Sequence, residues 1–279
     1  TAFKEAKVAN RERKEAEIAK REAEIADQKK FIERFKAKAT KARQAQSRVK
    51  RVEKIQIERL AETSRRYPKI RFEMRRPSGK EALSVEGLSK AYDGVPVLED
   101  VSFTVKRGDR VAIIGPNGIG KSTLLKLLVG EVSSDAGSYE WGYEAHPGYF
   151  AQDQKAIYGD GTETVLNRLW DTCPERGVAE VRGRLAAVLF DRHDVEKRVS
   201  SLSGGEMARL GFARLAVDAP NVLVLDEPTN HLDLEGIEAL ASALQTYEGT
   251  IILVAHDRWF VSQVATRIIE IRPDGIEDY

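Results

Sequence analysis

The 279 residues are 32% charged yet carry a net charge of only +1. That balance hides a division: residues 1–67 hold 21 Lys/Arg against 11 Asp/Glu, so the arm is ten charges positive and the remainder nine negative. A single cysteine, Cys173, excludes an internal disulfide framework and fits a reducing compartment, and no apolar run approaches the ~18 residues of a membrane-spanning helix. The first residues are too densely charged for a signal peptide. The expectation is a soluble, cytoplasmic chain with a basic arm on an acidic body, the arm's charge pointing to a polyanionic partner. It opens on Thr1 inside a helical pattern, which reads as a piece of a longer chain.

Residues 1–67 contain no Gly and no Pro and are dominated by Ala, Glu, Lys and Arg, a strongly helical composition. Ile18, Ile25 and Ile32 recur every seven residues, with Phe35 after them, as in a coiled-coil seam. A stretch from Lys36 to Arg51 then carries seven cations (Lys36, Lys38, Lys41, Arg43, Arg48, Lys50 and Arg51) and no acid. Val49, Val52, Ile55, Ile57 and Leu60 resume a second helical stripe. The economical expectation is an antiparallel helical hairpin with a first arm about 50 Å long and a basic tip; one unbroken helix is the competitor. The tip reads either as a solvated face or as a phosphate-backbone contact. It lacks aromatic residues, which disfavours base stacking and favours shape recognition of structured RNA.

Tyr67-Pro68 ends the helix. Residues 68–82 read as a linker, with a short strand at Ile70–Met74, and the globular domain is expected over 83–279. Leu83–Tyr92, Val95–Leu98 and Val101–Val105 alternate as strands of a small antiparallel sheet. Tyr92 is either an edge-strand aromatic or a platform for a flat base.

The body is organised around Gly115-Pro116-Asn117-Gly118-Ile119-Gly120-Lys121-Ser122-Thr123. Apolar Arg110–Ile114 before it reads as a buried strand, and Leu124–Val129 after it as the buried face of a helix. In that context the glycines wrap a polyphosphate in backbone N–H groups at a helix N-terminus, Lys121 reaches the phosphates and Ser122 ligates Mg2+. A nucleoside triphosphate is the expected ligand. A strand-like stretch ends at Tyr149–Asp153, and helices are expected over Thr162–Trp170, Val178–Phe190 and Met207–Val217. Ser203-Gly204-Gly205 before the last of these is either an anion site or an ordinary cap. Buried Val222–Leu225 runs into Asp226-Glu227, paired carboxylates suited to a metal ion and a water-activating base. Ile251–Ala255 is another buried strand and ends at His256.

Tyr92, the GPNGIGKST loop, Gln152, LSGGE, LVLDEPTNHLD and VAHDR follow one another in the order of an ABC-type ATPase domain, which the chain therefore resembles over Leu83–Tyr279. SLSGGEMARL and DEPTNHLD resemble the ABC-F branch, whose twin ATPase domains act on ribosomes and are joined by a charged helical linker. RFKAKATKARQAQSRVK (34–50) looks like the tip of that linker, where the family approaches tRNA and rRNA. The resemblance implies an α/β fold: a P-loop ABC domain with a mixed sheet core, an antiparallel β subdomain and a helical subdomain, preceded by the α-helical hairpin.

It further implies that Tyr92 stacks on adenine and that Gly115, Asn117, Gly118, Gly120, Lys121, Ser122 and Thr123 hold the phosphates of ATP. Gln152 and Asp226 hold Mg2+ with Ser122, Glu227 polarises the attacking water, and His256 contacts the γ-phosphate. Ser203, Gly204 and Gly205 serve the ATP of a second ABC domain, from a missing N-terminal half or a homodimer partner, and Asp233 meets that partner. Glu206 replaces the Gln usual in transporters, as is common in ABC-F proteins. Two alternatives remain: the ATPase subunit of a membrane transporter, which has no reason to carry the arm, and a DNA-repair or chromosome-associated ABC ATPase, which needs a much longer coiled coil.

Overall fold

The computed structural model describes residues 67–158, 161–273 and 275–279. The expected helical hairpin and its basic residues lie outside them. The body opens on an extended strap, Tyr67–Pro77, followed by β1 (Glu81–Tyr92), β2 (Val95–Lys106), β3 (Arg110–Ile114), α1 (Lys121–Leu128), β4 (Ala136–Trp141) and β5 (Pro147–Phe150). A helical stretch comes next: α2 (Gln154–Tyr158), α3 (Val165–Trp170), α4 (Val178–Ala187) and α5 (Gly204–Asp218). The chain then returns as β6 (Val222–Asp226), α6 (Leu234–Thr246), β7 (Thr250–Val254), α7 (Arg258–Val264), β8 (Arg267–Arg272) and β9 (Gly275–Asp278).

Two sheets result. One is antiparallel, in the order β2-β1-β4; the other runs β5-β6-β7-β3-β8-β9, parallel except where β9 turns back on β8. This is the mixed α/β architecture that the motifs imply. The sequence explains the central strands, because β6 and β7 are buried at every position and read as unbroken apolar runs, as strands covered on both faces do. Their side chains still alternate. Val111, Ile113, Val222, Val224, Ile252 and Val254 pack with Leu124, Leu125 and Leu128 of α1. Ala112, Leu223, Leu225, Ile251 and Leu253 pack on the other face with Phe212 of α5 and Leu240 and Leu244 of α6. A third core holds no strand residue and is built from Val165, Leu169, Val181, Leu185, Met207 and Leu210 among others.

The strap alternates as the sequence suggests, with Phe72 buried and Ile70 and Met74 packed beside it, but it forms no ladder. The expected strand at Ile70–Met74 is therefore corrected to an extended segment that packs rather than pairs. Phe72 lies edge-on to Phe212 and Tyr247, with ring centroids 6.4 and 6.3 Å away. The Lys69 N–H donates to the Ala187 carbonyl at the end of α4, and the Arg75 N–H to the Ala219 carbonyl at the end of α5. β1 starts at Glu81, and β2 is one strand where two short ones were expected, the register shifts in its pairing with β1 accounting for the apparent break.

Candidate nucleotide site

The spatial order of the sheet builds the site. Four neighbouring parallel strands, β5, β6, β7 and β3, end on the same side, and their carboxyl-end loops carry Gln152, Asp226-Glu227, His256 and the glycine loop respectively. Crevices at the carboxyl ends of parallel strands are where α/β sheets bind ligands. Here a cleft of about 340 Å³ is lined by Asn117, Gly118, Gly120, Lys121, Ser122 and Thr123 on one wall and by Gln152, Glu227 and His256 on the other.

Gly120 caps α1 with φ +104°, and a Cβ there would sit 2.8 Å from Leu98 Cδ2 and 2.9 Å from the Val97 carbonyl. Only glycine allows that approach, which presses the loop against β2. Lys121 is buried, and its ammonium donates to the carbonyls of Gly115 and Pro116 at 2.9 and 2.8 Å. A charge held against its own loop in this way is positioned for phosphate oxygens at the loop's mouth.

Ser122 Oγ donates to Asp226 Oδ1 at 3.0 Å. Asp226 is fully buried, and its Oδ2 has no hydrogen-bond partner. Burial first, then the neighbouring Glu227 charge, raises its pKa from 3.8 to about 6, against the Ser122 hydrogen bond and the charges of Lys126 and Lys121, which pull it down. An orphaned buried carboxylate oxygen beside a hydroxyl suits a hard divalent cation that takes its remaining oxygens from water and phosphate. Among the described residues no cluster of three or more His, Cys, Asp and Glu could hold a metal; a Mg2+ ion held by Ser122, Asp226 and Gln152 would have one carboxylate and take its other oxygens from the phosphates of the ligand and water.

Glu227 has φ +48°, a left-handed backbone that a residue with a Cβ adopts only when its surroundings enforce it. Its N–H donates to the Val254 carbonyl at 2.9 Å, which pins it across β6 and β7. Oε2 accepts from the His256 N–H at 3.3 Å. Oε1 lies 3.0 Å from His256 Nε2, close enough for a charge interaction but off line for a hydrogen bond, so it has no hydrogen-bond partner. A buried carboxylate with one oxygen unengaged, next to an exposed imidazole, can orient a water at the mouth of the cleft.

Ser203, Gly204 and Gly205 do not line this cleft. They form the start of α5, where Ser203 and Glu206 make a reciprocal capping box: Ser203 Oγ accepts from the Glu206 N–H, and Glu206 Oε2 accepts from the Ser203 N–H at 2.8 Å and from its hydroxyl at 2.8 Å. Burial acts to raise the Glu206 pKa, but those bonds and the Lys197 ammonium at 3.1 Å outweigh it and leave the carboxyl below its ordinary value. A Cβ on Gly204 would meet the His231 ring at 2.9 Å. That contact joins two loops far apart in sequence, and no spacing signal announces it. A second hollow of about 310 Å³ lies here, lined by Gly204, Met207 and His231 and sharing Gln152 and Glu227 with the first. Asp233 caps α6, accepting from the Gly236 N–H at 2.8 Å. Tyr92 also stands apart from the cleft, 44% exposed at the tip of the β1–β2 hairpin whose Val97 and Leu98 rest on Gly120.

Two family profiles described as ABC transporter match the chain, one over residues 98–230 and the other over residues 1–72. The fold is likewise that of solved ABC cassettes. The dimeric post-hydrolysis structure of the ATP-binding cassette MJ0796 bound to ADP and Pi is similar with a TM-score of 0.61 over 71% of this chain and 97% of that one, at 20% identity. Together with the P-loop cleft, this defines an ABC-type ATP-binding domain. Among sequence relatives, the probable ATP-binding protein YbiT of Escherichia coli O157:H7 is 43% identical over 257 residues, 91% of this chain and 48% of the relative. ABC transporter F family member 2 of Arabidopsis thaliana is 39% identical over 254 residues, 90% of this chain and 37% of the relative. The chain belongs to the ABC family, and its relatives include members named for the F branch. It spans less than half the length of these relatives. Among the described residues no helix is long and apolar enough to cross a membrane.

Proposed function

We propose that this chain is the linker and second ATPase domain of an ABC-F protein that works on the ribosome in the cytoplasm, binding and hydrolysing ATP while its basic arm touches tRNA or rRNA. The observation that carries the ATPase half is the single cleft shared by the glycine loop, Gln152, Glu227 and His256. The relatives in the F branch and the seven cations between Lys36 and Arg51 support the other half.

In this reading the backbone N–H groups from Gly115 to Thr123 and the Lys121 ammonium hold the β- and γ-phosphates. Bound Mg2+ supplies charge neutralisation of the phosphates. Glu227 orients a water toward the γ-phosphorus and draws on its proton as the bond from that phosphorus to the β–γ bridging oxygen breaks, giving ADP and phosphate. The His256 imidazole, held over the Glu227 carboxylate, donates to a γ-phosphate oxygen. Tyr92 stacks on the base. Ser203 and the Gly204 and Gly205 amides serve a nucleotide held by a second ABC domain, so this chain alone binds ATP well and turns it over slowly. The domain limits follow as arm 1–67, linker 68–82 and ATPase domain 83–279.

The test uses a protein carrying both ATPase domains, with Glu227→Gln and the matching change in the other domain. The variant keeps ATP bound while turnover falls about 100-fold or more, and ATP drives it to co-sediment with ribosomes. Binding to isolated membranes instead of ribosomes would leave the ATPase standing and remove the ribosomal role.

A further inference from the structure

The β1–β2 hairpin carries a charge pair that neither the cleft nor the fold demands. Lys90 and Tyr92 are two residues apart on β1 and so share a face of the strand. The Lys90 ammonium lies 5.5 Å from the centroid of the Tyr92 ring, and its side chain is only 14% exposed. Asp135, on the segment entering β4, holds it there. Asp135 Oδ1 accepts from Lys90 Nζ at 2.7 Å, Oδ2 accepts from the Ala91 N–H at 2.7 Å, and the Asp135 N–H donates to the Ser89 carbonyl at 3.0 Å. One short segment thus grips β1 at three consecutive residues just before Tyr92. The Lys90 hydrogen bond and then the Ala91 N–H hold the Asp135 carboxyl below its ordinary range, so the grip is charged at neutral pH.

We infer that Lys90, fixed by Asp135, is a positioning residue that makes Tyr92 a one-sided platform for a purine base. The inference rests on the stacking role proposed for Tyr92 and deepens it. A cation within about 6 Å of a ring centroid is attracted to the π face, more strongly where water is scarce. With Lys90 on one face, the ring keeps one tilt and offers only its other face to a planar ligand. The ammonium also draws π density toward itself, so the free face prefers an electron-rich bicyclic base over a small pyrimidine. The phosphates are held separately, by the loop that Val97 and Leu98 press into place. Lys90 and Tyr92, at the end of β1, therefore contribute to recognition of the base, while Val97 and Leu98 of β2 support the triphosphate loop.

That separation supplies the experiment. Isothermal titration with ATP, CTP and inorganic tripolyphosphate, each with Mg2+, is run on the chain and on its Lys90→Met, Lys90→Arg and Tyr92→Ala variants. Lys90→Met weakens ATP about 2–5-fold, narrows the preference for ATP over CTP, and leaves tripolyphosphate unchanged; Lys90→Arg restores ATP affinity. Equal losses for ATP and tripolyphosphate in Lys90→Met would assign Lys90 to the fold and overturn the inference. So would a Tyr92→Ala variant that loses ATP affinity while Lys90→Met does not, although the stacking role would then stand. If Tyr92→Ala leaves ATP binding unchanged, the stacking role falls and this inference falls with it.

Discussion

Asp226 and Glu227 stand side by side with almost no water on either, and burial raises the Asp226 pKa from 3.8 to about 6. Between those values the folded chain holds a proton that the unfolded chain has released, so the stability contributed at Asp226 drops as pH climbs from about 4 to 6 and stays low above that window. Asp226→Asn removes the cost. The nucleotide-free variant should melt about 2–6 °C above the parent at pH 7.5 and together with it near pH 4, read by thermal denaturation at both values. Adding Mg2+ and ATP should reverse the order, because the parent gains a charge partner that the amide lacks. The glycine loop and the Asp226-Glu227 pair were legible because each follows directly on an apolar run in sequence, and Ser122 because the loop motif ends on it. The pairing of Lys90 with Asp135, and of His231 with Gly204, was not, since each joins segments that only the tertiary fold brings together.

At the scale of elements, strands beside the glycine loop and the carboxylate pair were readable, as apolar runs or alternation, and β4 was not. β3, β6 and β7 announce themselves as apolar runs because both faces are covered. β4, with the pattern Ala-Gly-Ser-Tyr-Glu-Trp, leaves most of its positions to solvent and shows no alternation, so nothing in its sequence marks a strand. α6, α7, β8 and β9 carry no motif and were not expected. The order β5-β6-β7-β3 depends on how the crossovers close, which local pattern does not encode. The strap shows the opposite failure: its alternation is real, but side-chain packing uses it instead of backbone pairing. Phe72 is the anchor of that packing, so Phe72→Ala should cost about 3–5 kcal/mol, seen as a lowered guanidinium midpoint with little change in slope.

Across the whole molecule, charge is segregated: the first 67 residues carry the surplus of cations and the remainder the surplus of acids. An acidic body repels a nucleic acid, so affinity for structured RNA should come from the arm. Replacing Lys38, Lys41 and Arg43 with Ala should lower that affinity and reduce the slope of log K against log salt by about 2–3, measured by filter binding across a salt series. ATP affinity should be untouched. An unaltered slope would leave those cations as a device for solubility.

The strap has a mechanical side as well. Between its bonds to Ala187 and Ala219 it runs only from Lys69 to Arg75, and a chain of that length reaches at most about 3.3–3.6 Å per residue. If the end of α4 swings away from the end of α5 by more than that reach allows, one of the two bonds must break. The strap is therefore a tether: while both bonds hold, its length sets how far those two helix ends can part.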